Sequence, residues 1–311
     1  MPDRPKAAVL GAGTTGLAFA PVLAARFGPV DVWEPDPDVG RGARGTPGVA
    51  SVSSNLARTV AGAAVVVVAL PPTNLPSALD AARAELVTGA IVIMVGNGQE
   101  ASHALASGSL PPHASVVCVT IIPGSGAQPE SRNRKGDDPR ATSHSLAAAG
   151  ISPGSGAHPD AVGVVQALVE GIGAKPFFGE AREIDALAAA ALALPSIVAA
   201  ATVTTTIGAA SSRDLDRAGG AALASVTEVL ERHPLGIDDI APLSEHVTRL
   251  IDQLVLQLLE TRDALARGTP DPAGLEDATT RRRRWVAARG VLPEDADLPD
   301  VPSPTRRRLF F

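Results

Sequence analysis

Several residue types are scarce in this chain, and each scarcity removes a class of chemistry. Cys118 is the one cysteine in 311 residues, so an internal disulfide is excluded. It sits in the apolar run 115–122 (SVVCVTII), where a buried, unreactive thiol is expected. A reduced, cytoplasmic setting follows as an expectation. There is no tyrosine, which rules out a tyrosine–lysine catalytic pair. Lys6, Lys135 and Lys175 are the only lysines, and none falls in the helical second half. A catalytic lysine on those helices is therefore excluded. No Cys/His spacing suggests a metal site, and no GxSxG nucleophile turn occurs. Long apolar runs are also lacking. Residues 186–210 come closest to a membrane span, but Pro195 and a run of threonines interrupt them. Net charge is −6, so no general attraction to nucleic acid or to a membrane surface is implied.

What is present is ample apolar content, 45% of residues, enough for one large or two medium domains. The N-terminus carries the strongest pattern. Ala7-Ala8-Val9-Leu10 breaks into Gly11-Ala12-Gly13-Thr14-Thr15-Gly16, an Ala-rich run follows, and then Val30-Asp31-Val32-Trp33-Glu34. This reads as strand, glycine turn, helix, and a second strand ending in an acid. It is not a secretory leader, because the glycine turn interrupts the apolar run. Gly11 permits the tight turn, Gly13 lets backbone approach a pyrophosphate, and Gly16 lets helix and strand pack. The helix N-terminus, with Thr14 and Thr15, offers free N–H groups and partial positive charge to phosphates. Glu34 follows Gly16 by 18 residues, where a carboxylate accepts hydrogen bonds from the adenine ribose. It repels a 2′-phosphate, so NAD is expected over NADP.

The first half alternates strands and helices. Residues 63–70 (AAVVVVAL), 90–95 (AIVIMV) and 115–122 read as buried parallel strands. Residues 75–87 and 161–173 read as helices, and 174–179 (AKPFFG) as a strand near the sheet's edge. In a doubly wound sheet, ligands bind beyond the carboxyl ends of the strands. The segments 71–74, 96–99 with Asn97 and 123–128 with Ser125 are therefore expected around one crevice, with Leu70, Pro71 and Pro72 against the cofactor. The long polar stretch 124–145 reads as a lid or an insertion and carries His144. Asn97, Ser125 and His144 are the catalytic candidates. From Glu180 the composition turns helical and Ala-rich, and Leu-rich spacing over 240–265 suits a bundle or subunit interface. The expected architecture is an α/β Rossmann-type dinucleotide-binding domain (1–180), an all-α dimerisation and substrate domain (181–290) and an irregular tail (291–311). The clusters 281–284 and 306–308, all arginine, read as solvated charge, with no groove-reading pattern to suggest nucleic acid.

Several further segments, in order, resemble prephenate/arogenate dehydrogenases. They are Pro159-Asp160-Ala161-Val162, the run 168–176 (LVEGIGAKP), Ala181-Arg182-Glu183-Ile184-Asp185, Leu194-Pro195 and Ala199-Ala200. Arg213-Asp214-Leu215-Asp216-Arg217 resembles that family's "RDxTR" turn, and Ile237-Asp238-Asp239-Ile240 opens what resembles its dimerisation helices. The likeness runs to about residue 285. It implies a nicotinamide cofactor, a small-molecule substrate and a homodimer through the helical region. It also implies that Arg217, with Arg213 and Ser196 nearby, binds substrate, Arg217 through a carboxylate.

The departures are equally informative. The family's general-base histidine corresponds here to Ile122, its substrate-facing serine to Asn97, and the histidine of its His-Asp pair to Ile184. Its "SHLPH" run becomes Ala191-Leu192-Ala193-Leu194-Pro195-Ser196. A general base contributes roughly 10²–10⁴-fold to rate, so standard prephenate is not the expected substrate. Three readings stand. One is an NAD-dependent oxidoreductase acting on another small carboxylated or cyclic substrate. A second is a non-redox lyase, isomerase, cyclase or nucleotide-binding protein on the same fold, its crevice made more apolar by Ile122, Ile184, Leu194 and Ala191. The third is a ketopantoate-reductase-like enzyme, prompted by Asn97-Gly98 but lacking that enzyme's helical lysine.

Overall fold

The computed structural model describes residues 5–124, 147–207, 220–269 and 272–288. The chain runs β1 (Lys6–Leu10), α1 (Thr14–Phe27), β2 (Val30–Trp33), α2 (Pro37–Ala43), β3 (Val49–Ser53), α3 (Leu56–Val60) and β4 (Ala63–Val68). It continues through α4 (Leu75–Arg83), β5 (Ile91–Val95), α5 (Gln99–Ser109), β6 (Ser115–Ile122), β7 (Ala148–Pro153), α6 (Pro159–Gly171) and β8 (Lys175–Phe178). Among the described residues one eight-stranded sheet forms, in the order β3-β2-β1-β4-β5-β6-β7-β8. Strands β1 to β6 are parallel, while β7 pairs antiparallel with β6. The first six strands thus have the doubly wound 3-2-1-4-5-6 order.

The Val-rich β4 shows why this sequence makes a central strand. Alternate side chains leave opposite faces. Val65 and Val67 pack with Phe19 and Leu168 on one face; Val66 and Val68 pack with Leu56 and Leu79 on the other. A strand with helices on both faces has no solvated side, so its sequence cannot alternate. The expected edge strand at 174–179 is β8. The expected helix over 75–87 ends earlier, at Arg83. Strands β3 and β7 were not anticipated. Val49-Ala50-Ser51-Val52-Ser53 is half polar, and Ala148–Pro153 carries Gly150 and Pro153, weak strand formers that pairing recruits.

Beyond the sheet come α7 (Ala181–Ala188), a π turn (Ala189–Ala193), α8 (Leu194–Thr206), α9 (Ala221–Thr227), α10 (Val229–Arg232) and α11 (Ile237–Ile240). A 3₁₀ turn (Ala241–Leu243) leads to α12 (Ser244–Ala266) and then α13 (Pro272–Ala288). Pro195 has no N–H to give, and the π turn just before it lets the ladder shift rather than break. The span Ala181–Thr206 is long and apolar enough to cross a membrane by length and composition alone, and 28% of its most apolar window is buried. Ile184, Ala188, Ala189, Ala193 and Ala199 are among its buried residues, and α7 packs on α5, β6 and β7. Chain contacts divide the protein into two compact units, Met1–Ile251 and Asp252–Phe311. The helical segment from α7 to the start of α12 therefore belongs with the sheet. The composition change at residue 180 is not where the units part.

Candidate functional site

The glycine turn lies where β1 ends. Gly11 has φ +100°, and a Cβ there would collide with the Ala69 carbonyl oxygen. A Cβ on Gly16 would collide with the Gly11 carbonyl oxygen, whereas Gly13 faces open space. The first and third glycines are thus needed for packing, and the second leaves room for a ligand. The Gly11 amide donates to the Trp33 carbonyl (3.0 Å), and the Ala69 amide to the Leu10 carbonyl (2.9 Å). These bonds fix the turn between the ends of β2 and β4. Gly13, Thr14 and Thr15 are exposed, and no side chain caps α1. The first amides of this 14-residue helix are therefore open to an anion. Glu34, half-buried at the end of β2, accepts from the Ala12 amide (2.9 Å) through one carboxylate oxygen and from the Asp36 amide (3.0 Å) through the other. Open space at Gly13, an uncapped helix N-terminus and an acid at the β2 end fit the diphosphate and ribose of a dinucleotide.

A cavity of about 350 Å³ lies beyond the carboxyl ends of β4 and β5. Thr15, Leu70, Pro71, Pro72 and Asn97 line it, while Thr73, Asn74 and Gln99, expected around the same crevice, are not among its lining residues. Gly236, Asp238 and Asp239 also line it, from the start of α11, and sequence reasoning missed them. The Asn97 side-chain amide donates to the Asp239 carbonyl (3.1 Å), joining the sheet end to that helix. Gly98 has φ +78°, and a Cβ there would collide with Pro242. A second, mostly apolar cavity of about 360 Å³ lies between α1, α2 and the end of α6, beside Ala12 and Thr14.

Behind Asn97 lies a buried polar chain. The Gln99 side-chain nitrogen donates to the Thr120 hydroxyl (3.0 Å) and to the Gly150 carbonyl (2.9 Å). Because a carbonyl can only accept, the amide orientation is fixed. Thr120 donates in turn to the Gly96 carbonyl (2.7 Å), and Ser152 donates to the Gln99 side-chain oxygen (2.5 Å). The Ser152 proton being committed, His103 Nε2 must donate to that hydroxyl (2.8 Å), so the imidazole carries its proton on Nε2. Burial pushes the His103 pKa down, against the weaker opposing pull of Ser152 and Asp185. Asp185, 2% exposed, accepts from the Gln99 amide (2.8 Å) and the Glu100 amide (3.0 Å). It caps α5 from another helix, in place of Gly98, which has no side chain to do so.

Other candidates fall elsewhere. Ile184 is fully buried against Gly150. It is a core residue, which corrects the expectation that it greases the crevice. Ala191 is exposed, and Ser196 is buried with its hydroxyl donating to the Leu192 carbonyl of its own helix (3.0 Å). Ile122 is half-buried where β6 ends, paired with Ala148. Cys118 is buried and burial pushes its thiol pKa up, as expected of an unreactive thiol. Ser125, His144, Arg213 and Arg217 lie outside the described residues. Among the described residues no group of three or more His, Cys, Asp or Glu is placed to hold a metal.

Residues 6–98 match the family described as NADP oxidoreductase, coenzyme F420-dependent. No curated protein matches. Among solved structures, the arogenate dehydrogenase of Synechocystis aligns with a TM-score of 0.69 at 16% identity, over 90% of this chain and 99% of that one. The prephenate dehydrogenase of Aquifex aeolicus, in complex with hydroxyphenyl propionate and NAD+, aligns with a TM-score of 0.72 at 15% identity. That match covers 90% of this chain and 98% of the other. The chain has the fold of these dehydrogenases. At such identities the likeness extends to the arrangement of the chain, a Rossmann-type sheet followed by helices, and the chemistry must be argued from the residues.

Proposed function

We propose that the protein is an NAD-dependent oxidoreductase, built on the prephenate-dehydrogenase plan, that acts on a small carboxylated or cyclic substrate other than prephenate. The observation that carries this reading is the continuity of the site. The open glycine turn, the uncapped α1 N-terminus and Glu34 lead along one sheet edge to the cavity beside Asn97. The α1 amides would hold the diphosphate and Glu34 the adenine ribose, leaving the cavity beyond β4 and β5 for the nicotinamide and substrate. Bound there, the nicotinamide would supply or accept a hydride. Pro71 and Pro72 close one wall without exposing N–H groups, and Asn97 offers a polarising amide. Glu34 argues for NAD, although the matched family is described by NADP.

Arg217 would hold a substrate carboxylate, with Arg213 nearby. Ser125 and His144 would approach from the segment after β6. A homodimer is part of the proposal. Leu256, Leu258 and Leu265 in α12 are 58–61% exposed, and Leu187 of α7 is 50% exposed. Apolar surface of this kind is covered in stable proteins, and a second copy is the simplest cover. Light scattering on the purified chain should give twice the monomer mass. The activity is tested by calorimetry with NAD, NADH, NADP and NADPH, followed by assays of prephenate and arogenate oxidation. The expected result is binding with NAD preferred and no substantial turnover of either acid. Absence of nucleotide binding would sink the proposal; robust prephenate oxidation would sink the claim that Ile122 has removed that activity.

A further inference from the structure

We infer that Gln99 and Thr120 are positioning residues, which turn the Asn97 backbone N–H into the crevice to take the carboxamide oxygen of a bound nicotinamide. The inference rests on the nucleotide reading above and names how that same site would hold the reactive ring. Thr120 is fully buried on β6, and its hydroxyl donates to the Gly96 carbonyl at 2.7 Å. Strand β6 lies on one side of β5, and β4 lies on the other. The crevice is lined by Ala69, Leu70 and Pro71 from the end of β4, and by Gly96 and Asn97 from the end of β5. In a trans peptide the C=O and N–H point in opposite directions, and no described peptide bond is cis. With the Gly96 carbonyl held toward β6, the N–H of the same peptide, that of Asn97, points away from β6 and toward the crevice.

The bond to Gly96 ends a series of donors that all run one way. His103 donates to Ser152 (2.8 Å), Ser152 to the Gln99 oxygen (2.5 Å), and the Gln99 nitrogen to Thr120 (3.0 Å). The second Gln99 proton goes to the Gly150 carbonyl (2.9 Å), so the side chain cannot turn over without losing all three of its bonds. Gln99, Thr120 and Ser152 are 1%, 0% and 3% exposed. Apolar residues would fill such positions without the cost of burying polar atoms. What the polar set supplies is a fixed direction at Gly96. Hydrogen bonds in series also polarise one another, and a peptide whose carbonyl accepts is a stronger donor at its N–H. The series therefore both aims and strengthens the Asn97 donor. The ring can reach it. Strands β1, β4 and β5 are neighbours, so Asn97 lies two strand spacings, about 10 Å, across the sheet from the glycine turn. Thr15, at the diphosphate end, lines the same crevice. A ribose and ring tethered to the diphosphate span a distance of that order. The carboxamide oxygen is the acceptor that the ring carries, and holding it fixes which face of the ring meets a substrate.

Calorimetry on the full chain with NAD+, its thionicotinamide analogue and ADP-ribose tests this. The analogue puts sulfur, a weaker acceptor, in place of the carboxamide oxygen, and ADP-ribose lacks the ring. The wild-type chain should bind NAD+ at least fivefold more tightly than the analogue. Thr120→Val, close in shape but without the hydroxyl, should shrink that preference to within twofold and leave ADP-ribose affinity within twofold of wild type. Thr120→Ser, which keeps a hydroxyl, should restore the preference. A melting curve checks that the variants fold. The amide NMR signal of Asn97 in the wild-type chain gives the answer even if Thr120→Val does not fold. It should move downfield with NAD+, less with the analogue, and not with ADP-ribose. A preference that survives in Thr120→Val, one that Thr120→Ser fails to restore, or no preference in wild type each overturns the inference while leaving nucleotide binding standing. So does an ADP-ribose affinity that falls together with that for NAD+ in Thr120→Val, which would make Thr120 merely structural, or an Asn97 signal that does not tell the three ligands apart. Failure of the wild-type chain to bind either NAD+ or ADP-ribose would instead remove the reading on which it rests, and the inference with it.

Discussion

The Glu34 carboxylate accepts a hydrogen bond from the backbone amide of Ala12, the second residue of the glycine turn, at 2.9 Å. Its other oxygen accepts from the Asp36 amide at 3.0 Å, at the residue that caps α2. One side chain therefore ties the turn after β1 to the turn after β2. A carboxylate oxygen has two lone pairs, so each of these oxygens can accept a second bond. The acid expected to read a ribose is held in place before any ribose arrives, which reduces what binding must order.

Glu34→Ala should therefore lose twice, in the ribose contact and in the order of the turn. NAD affinity measured by calorimetry should fall tenfold or more. Glu34→Gln keeps one acceptor oxygen and should fall between wild type and alanine. With the carboxylate gone, the ratio of NADP to NAD affinity should rise in both variants, because a 2′-phosphate no longer meets a negative charge. Unchanged NAD affinity in Glu34→Ala would count against the ribose assignment.

The nucleotide end of the site was legible because its signals are local. A tight turn, a close helix approach and a following acid are all set by neighbours within about thirty residues, and each demands a particular residue type. The Val-rich β4 was legible for a similar reason, since burial on both faces leaves a continuous apolar run. The substrate end was only half legible. Asn97 and Pro71 follow strands and so could be placed, but Asp238 and Asp239 reach the crevice through a long-range packing of α11 that no local pattern specifies. Gln99 and Asp185 show the same limit. A buried glutamine and a cap borrowed from a helix 85 residues away are consequences of tertiary contact. Ile184, placed at a site histidine only by the sequence resemblance, is a core residue because Gly150 leaves it a space.

Gly98 tests how tightly the sheet end and the following helices are joined. Its φ of +78° is left-handed, and an added Cβ would run into Pro242. Gly98→Ala should cost more than about 2 kcal/mol, from backbone strain together with overpacking. Gly108→Ala serves as the control. That glycine is in α5, exposed, with nothing within 4 Å of a new Cβ, so the change should stabilise by about 0.5–1 kcal/mol. Urea unfolding of both variants checks the pair. Equal effects would refute the steric account.

The sequence resemblance places Asp185 at the acid of a His-Asp pair, yet here its two oxygens serve two α5 amides. Asp185→Ala should leave both amides without acceptors in a buried setting, at a cost of about 2–3 kcal/mol. Asp185→Asn retains one acceptor oxygen and should recover part of the loss. Because Asp185 faces α5 rather than the cavity, nucleotide affinity per folded molecule should stay within threefold of wild type. A larger fall would give Asp185 a role in the site.

The sign of the pH dependence at His103 follows from its burial. Burial lowers the pKa in the folded protein, so the unfolded chain takes up the proton first. The stability contributed by neutral His103 is complete above its unfolded value of about 6.5 and is lost as pH falls through the lower folded value. Urea midpoints should therefore fall from pH 7.5 to pH 5. His233 contributes in the same direction, since burial and Arg232 lower its pKa as well. His103→Gln separates the two, because glutamine can still donate to Ser152 but does not titrate. Its midpoint should fall less steeply with acid than that of wild type, and parallel curves would remove His103 from the account.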